Sequence, residues 1–114
     1  MGTLITKEAD VLKTVDKIED LLGQVSSKYR SGDTSGALSL ATTAYLENYE
    51  CIEGAIADKD SDLMQKVELM LRRDLRHAIN TEQPAGDIDA QIDSIKAELK
   101  KSKVFSNRIA DYHF

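Results

Sequence analysis

The sequence predicts an all-α fold and, within that class, an antiparallel up-down four-helix bundle. Four stretches carry apolar residues at steps of three and four, which is the spacing along one face of an amphipathic helix. The breaks between the stretches contain Gly32, Asp60 and Pro84, residue types that end helices or form turns. Because helices joined by short connections pack antiparallel in a bundle, residues 1–114 are expected to form a single domain.

The predicted helices cover about residues 6–30, 34–57, 61–80 and 87–103. The apolar positions expected to face the core are Val11, Val15, Ile18, Leu22, Val25, Tyr29, Leu38, Ala41, Tyr45, Ile52, Ile56, Leu63, Val67, Leu71, Leu75, Ala78, Ile88, Ile92, Ile95 and Leu99. Asp33 and Asp60 precede the second and third helices, where a carboxylate can cap the free N–H groups of the first turn. For residues 104–114 two interpretations stay open, a continuation of the last helix and a linker.

The sequence argues against nucleic-acid binding, an intramolecular disulfide and a membrane-spanning helix. The net charge of −5 argues against binding along a nucleic-acid backbone, which needs clustered Lys and Arg. Cys51 is the only cysteine, so an intramolecular disulfide is impossible. The chain shows no signal peptide and no apolar stretch of the roughly 20 residues that a membrane-spanning helix needs.

Catalytic motifs are also absent from the sequence. It contains no Gly-rich phosphate loop, Cys-x-x-Cys pair or nucleotide-binding fingerprint, and it has only two histidines. His77 is expected on the surface, and Asp111-x-His113 near the end could bind a metal adventitiously. Cys51, next to the predicted core residue Ile52, is expected to be a half-buried, inert side chain. We therefore predict a protein that is not an enzyme, with no catalytic residues and no organic cofactor.

The candidate site is a set of glutamates on the second and third helices. If the chain folds back at residues 57–60, Glu50 and Glu53 come level with Glu68 on the facing helix. Glu53 and Glu68 fall at the edge of the core, and Glu50 lies farther toward solvent. Carboxylates from facing helices are how bundles hold hard cations, so the three form a predicted metal site.

An alternative without metal is also compatible with the spacing. Arg72 and Arg76 follow Glu68 by one and two helical turns, where guanidinium groups can form ion pairs with the same carboxylates. A contact with a partner protein is a further alternative. The di-iron pattern of helical bundles also places a His three residues after a Glu, and neither Glu50 nor Glu53 is followed in this way.

A family resemblance favours iron. The chain carries Tyr29-x-x-Gly32-Asp33, Ala44-Tyr45-Leu46, Tyr49-Glu50-x-x-Glu53-Gly54, Lys59-Asp60-x-x-Leu63, Val67-Glu68 and Leu75-Arg76-x-x-Ile79. In this pattern, which extends to Leu99, it resembles the extracytoplasmic helical domain of prokaryotic high-affinity iron permeases, the oxidase-coupled iron transporters. The resemblance implies a periplasmic or cell-surface four-helix domain that serves iron uptake.

The resemblance also implies which residues of this chain bind iron and that a separate membrane part transports it. It makes Glu50, Glu53 and Glu68 the candidates for binding or passing iron, and it implies a membrane permease part in the same or a partner polypeptide. The transport signature of that family, Arg-Glu-x-x-Glu on a membrane helix, is absent here. The residues of this chain are therefore not expected to transport iron by themselves.

A second resemblance points to an interaction module instead. Tyr29-x-x-Gly32-Asp33 followed by Ala37-Leu38 and Ala41 is similar to a tetratricopeptide helical hairpin. Such repeats recur every 34 residues or so, and residues 63–97 do not repeat the pattern. The bundle therefore remains the preferred prediction.

Overall fold

All secondary structure in the described part of the chain is helical. The structure, a computed structural model, describes the backbone of residues 3–111 and the side chains of residues 10–103. Four helical rods are joined by short connections, which confirms the predicted all-α class with four helices. None of the helices within residues 3–111 combines the length and the apolar character needed to cross a bilayer.

Two of the rods are interrupted in the middle by π-helical segments, which we call π1 and π2. The elements in chain order are α1 (Thr3–Arg30), α2 (Thr34–Thr43), π1 (Ala44–Tyr49), α3 (Glu50–Lys59), α4 (Ser61–Leu69), π2 (Met70–Asp74), α5 (Leu75–Asn80) and α6 (Ala85–Asp111). The second rod consists of α2, π1 and α3, and the third of α4, π2 and α5. The predicted helices over residues 34–57 and 61–80 are present, and the π segments in their middles were not predicted.

The rod ends differ slightly from the predicted ones. Helix α3 continues to Lys59, so the turn that was expected over residues 57–60 is made at Asp60 alone, in extended backbone. The Asp60 side chain caps α4 by accepting a hydrogen bond from the Leu63 N–H at 3.0 Å, and Asp33 caps α2 in the same way through Gly36 at 2.8 Å. Helix α6 includes residues 104–111, whereas His113 lies outside the described residues.

The core is built from the apolar stripes of all four rods. Its buried residues are Val11, Val15, Ile18, Leu21, Leu22, Val25, Ala37, Ala41, Ala44, Tyr45, Tyr49, Ile52, Ile56, Leu63, Val67, Leu71, Leu75, Ala78, Ile79, Ile88, Ile92, Ile95 and Leu99. Of the predicted inner positions, Tyr29 and Leu38 are only partly buried and pack at its margin. Helix α1 packs mainly on α2, π1 and α6, whereas α3 packs mainly on α4.

The π segments keep the middle rods facing this core. Along the third rod, Leu63, Val67 and Leu71 are buried at steps of four, and so are Leu75 and Ile79. Each step of four turns about 40° past a full α-helical turn, so a straight helix would carry the stripe out of the core. A π segment takes up one more residue per turn than the α-helix and so brings the stripe back.

Polar contacts join α1 to α6 at two levels. Near the end of α1, Asp89 accepts hydrogen bonds from the Ser26 hydroxyl at 2.6 Å and from the Arg30 guanidinium. Farther along α6, the Lys103 ammonium lies 2.8 Å from Asp16 and 2.9 Å from Glu19. The last turns of α1 therefore meet the first turns of α6, and earlier turns of α1 meet later turns of α6.

The expectation about Cys51 on α3 is wrong. Cys51 is exposed rather than half-buried, because α3 buries only the narrow face that carries Ile52 and Ile56. Gly54 does not mark a close helix contact, since a Cβ atom added there would have no neighbour within 4 Å. Cys51 and Gly54 thus lie on the solvent-facing side of α3.

Candidate functional site: the glutamate cluster

The predicted site residues lie on both sides of the α3–α4 turn. Glu50 and Glu53 belong to the first turn of α3, and Glu68 lies near the end of α4. Glu50 is exposed, whereas Glu53 and Glu68 are half-buried. These three side chains, with Arg72 of π2, are called the glutamate cluster below.

Glu53 is the electrostatic centre of the cluster. Burial raises the pKa of its carboxyl, and the negative charges of Glu68 and then Glu50 raise it further, while Arg72 acts in the opposite direction. Its Oε1 atom is buried and makes no hydrogen bond to any described residue. The fold therefore brings the three carboxylates within electrostatic range and leaves one buried oxygen unsatisfied, which costs free energy unless a proton or a cation compensates.

Arg72 provides only partial compensation. Its Nε atom lies 3.7 Å from Glu68 Oε1, which is an ion pair but too long for a hydrogen bond. The Arg72 side chain is 51% exposed, so water screens the attraction. Arg76, the other predicted partner, does not join the cluster by an ion pair among the described side chains, and its buried Nε atom makes no hydrogen bond there.

Two tyrosines line the buried side of the cluster. Burial raises the pKa of Tyr45 and of Tyr49, and the charges of Glu53 and Glu68 raise both further. The Tyr49 hydroxyl donates a hydrogen bond to the Met64 carbonyl oxygen at 3.0 Å. The predicted core position of Tyr45 is confirmed, but the place of both rings beside the carboxylates was not predicted, although Tyr45, Tyr49 and Glu53 follow one another at steps of four.

The arrangement is not a ready-made coordination sphere. Among the side chains of residues 10–103, no three His, Cys, Asp or Glu groups are placed to hold a metal ion together. Of the three carboxylates, Glu50 is the exposed one, and its side chain can change rotamer at little cost. The buried, unsatisfied Glu53 oxygen fits a cation ligand, whereas the positions of Glu50 and Arg72 do not fit one without a side-chain rearrangement.

The remaining chemically reactive side chains lie elsewhere. His77 is exposed on α5 and lines a surface groove of about 450 Å³ with Asp74 and Gln91. Cys51 lines a separate hollow of about 340 Å³ between α1 and α3. Neither groove includes a residue of the glutamate cluster.

Comparison of the chain with family models, curated proteins and solved structures finds no match. The resemblance to the iron permease domain therefore stays a prediction.

Proposed function

We propose that this chain is a non-enzymatic helical domain that binds iron, or another hard cation, at Glu50, Glu53 and Glu68. The observation that carries the proposal is the buried Oε1 atom of Glu53, which has no hydrogen-bond partner among the described residues, while the negative charges of Glu68 and Glu50 act on the same carboxyl. A bound cation would offset both the missing partner and the repulsion. Oxygen ligands suit hard cations, and the cluster contains no thiolate or imidazole that would favour copper or zinc.

Binding requires two side chains to move. Glu50 turns inward from solvent, and Arg72 releases Glu68 so that its carboxylate can share the ion. Both movements are inexpensive because Glu50 is exposed and an exposed ion pair contributes only about 0–1 kcal/mol. The site is thus an adaptable one, suited to taking up an ion and releasing it.

The setting of the domain is part of the proposal. We place it outside the cytoplasm, where it serves a membrane permease in the same or a partner polypeptide, and this rests on the sequence resemblance alone. We further propose that the four rods form an up-down antiparallel bundle. The contacts of Asp89 with the last turns of α1, and of Lys103 with an earlier part of α1, support that arrangement.

A calorimetric titration tests the cation site. The full chain is titrated with Fe²⁺ under anaerobic conditions and with chelated Fe³⁺, beside Glu50→Ala/Glu53→Ala/Glu68→Ala. A matched control, Glu47→Ala/Asp58→Ala/Asp62→Ala, removes the same charge from exposed positions on the same two rods. We expect saturable binding that weakens at least about tenfold in the first variant only, which is a loss of about 1.4 kcal/mol. Equal affinity in all three proteins would remove the assignment.

The second candidate is a structural or protein-interaction domain with no metal site. The ion pair between Arg72 and Glu68 favours it, because it supplies a countercharge from within the chain. This candidate predicts no saturable iron binding and a lower melting temperature in Arg72→Ala. The cation site instead predicts that Arg72→Ala binds iron more tightly than the wild type, because the competing guanidinium is gone.

A further inference from the structure

The two π segments lie side by side at one level of the molecule. Segment π1 contacts π2, and the chain between them is the hairpin of α3, Asp60 and α4, which we call the tip hairpin. Both connections between the tip hairpin and the rest of the molecule therefore pass through π-helical backbone. Such segments are rare, and they are often found at functional sites.

Each π segment contains one residue more than an α-helical path would need. Ala37 and Ile56 both face the core, although a straight α-helix would place them about 100° apart around its axis. In π1 the Glu50 N–H reaches the Tyr45 carbonyl five residues earlier, and in π2 the Leu75 N–H reaches Met70. Removing one residue from either segment would give a continuous α-helix with the same buried face.

Local contacts support the longer turn in π1. The side-chain amide of Asn48 donates a hydrogen bond to the Thr43 carbonyl at 3.0 Å, where the backbone ladder changes from α to π spacing. Helices α3 and α4 of the tip hairpin pack more extensively on each other than α3 does on α1 or α4 does on α6, and Lys66 joins the hairpin to α6 through an ion pair with Glu98 at 3.2 Å. The tip hairpin therefore packs less extensively on α1 and α6 than α2 packs on α1.

From these contacts we infer that π1 and π2 together form a joint, about which the tip hairpin moves relative to the other helices. The movement is an exchange of each segment between π and α hydrogen-bond spacing. The glutamate cluster spans the joint, because Arg72 belongs to π2 whereas Glu53 and Glu68 belong to the tip hairpin. The joint is a property of the backbone and does not require that the cluster bind a cation.

Relaxation-dispersion NMR on the full ¹⁵N-labelled chain, with chelator present, tests the joint directly. We expect microsecond-to-millisecond exchange at the amides of residues 44–49 and 70–74 and flat profiles along α1. Flat profiles at both π segments would overturn the inference. Because no metal is present, this outcome is independent of the iron titration.

Deletion variants test the surplus residues. Deleting exposed Glu47 and exposed Arg73 together removes one residue from each π segment. We expect a folded protein whose melting temperature is no lower than that of the wild type and whose exchange at the former π segments is lost. Deleting exposed Lys17, in the uninterrupted helix α1, is the control and should abolish cooperative unfolding, since it rotates half of the buried stripe away from the core. An unfolded double deletion, or a folded one with undiminished exchange, contradicts the inference.

Asn48→Ala tests the joint without any change of register. It removes the side-chain amide that supports π1. We therefore expect the contribution of conformational exchange to the transverse relaxation rates of the amides of residues 44–49 to change at least about twofold. Thr42→Ala is the matched control, because its hydroxyl bonds the Leu38 carbonyl outside π1. Identical exchange in Asn48→Ala and the wild type would contradict the inference, because the exchange would then not involve the hydrogen bond at which the ladder changes to π spacing.

Discussion

The hydroxyl of Tyr49 donates a hydrogen bond to the backbone carbonyl oxygen of Met64 and so joins π1 to the facing helix α4. The ring is fully buried, and burial raises the pKa of its hydroxyl, which keeps the donor proton in place. The bond fixes the second rod against the third beside the glutamate cluster. Its geometry depends on both the π turn and the turn at Asp60.

Tyr49→Phe is expected to lower the free energy of unfolding by about 0.5–1.5 kcal/mol, the usual net contribution of one buried hydrogen bond. The lost hydroxyl leaves the ring packing intact, so the fold should persist. Urea denaturation at neutral pH measures the change. Tyr45→Phe is the matched control, since no hydrogen bond of its hydroxyl to a described residue is found, and a cost as large as that of Tyr49→Phe would contradict the prediction.

Glu53 should make stability depend on pH. Its pKa in the folded state is raised above the ordinary value of 4.5, so the folded protein holds this proton more tightly than the unfolded chain. The stabilisation is complete below the ordinary pKa and is lost as pH rises through the raised pKa. Glu53→Gln removes the charge and should therefore melt higher than the wild type at neutral pH, with the difference vanishing near about pH 4.

Thermal melts of Glu53→Gln across that pH range provide the measurement. Glu47→Gln, at an exposed position on the same rod, is the control and should melt with the wild type throughout. A Glu53→Gln variant that is less stable than the wild type at neutral pH would mean that the ionised carboxylate is satisfied in solution.

The periodicity of α1 and α6 made these two helices predictable from the sequence. Their apolar residues follow steps of three and four from Val11 to Tyr29 and from Ile88 to Leu99, which places one continuous face of each helix against the core. The position of Glu50 and Glu53 opposite Glu68 was also predictable, because the turn of a helical hairpin determines which residues of its two helices lie opposite each other. The Asp33 and Asp60 caps follow from local chemistry and were also found.

The π segments were missed although the sequence carries a sign of them. Buried residues recur at steps of four from Ala37 through Tyr49 and from Leu63 through Leu75, and three or more such steps exceed what a straight α-helix can keep on one face. The ion pair of Arg72 with Glu68 has the i,i+4 spacing that favours such pairs on one helix and was among the predicted alternatives. That Arg76 forms no ion pair with the cluster among the described side chains was not predictable.

Asp89 should contribute to stability through its contacts with α1. The Ser26 hydroxyl and then the Arg30 guanidinium hold the pKa of this carboxyl below its ordinary value of 3.8. The resulting stabilisation is present above the ordinary pKa and is lost as pH falls through the lowered one. Asp89→Ala is therefore expected to cost about 1 kcal/mol at neutral pH, a modest amount because the Arg30 side chain is 57% exposed.

Urea denaturation at neutral and acidic pH tests this role. The difference between Asp89→Ala and the wild type should shrink as pH falls, because the wild type loses the same contacts. Asp93→Ala, at an exposed position on the same helix, is the control and should have little effect at either pH. A constant difference at all pH values would indicate that Asp89 acts through packing rather than charge.

Gly54 offers a stabilising substitution that also tests the described conformation of α3. The residue is exposed in the helix, and an added Cβ atom would have no neighbour within 4 Å. Gly54→Ala should therefore raise the free energy of unfolding by about 0.5–1 kcal/mol, because alanine loses less backbone entropy in a helix. Gly32→Ala should lower the free energy of unfolding, because Gly32 has a φ of +88° and residues with a Cβ atom adopt this angle only at a cost. If both substitutions destabilise the protein, α3 is packed more closely at Gly54 than the structure describes, and its exposed face is covered in solution.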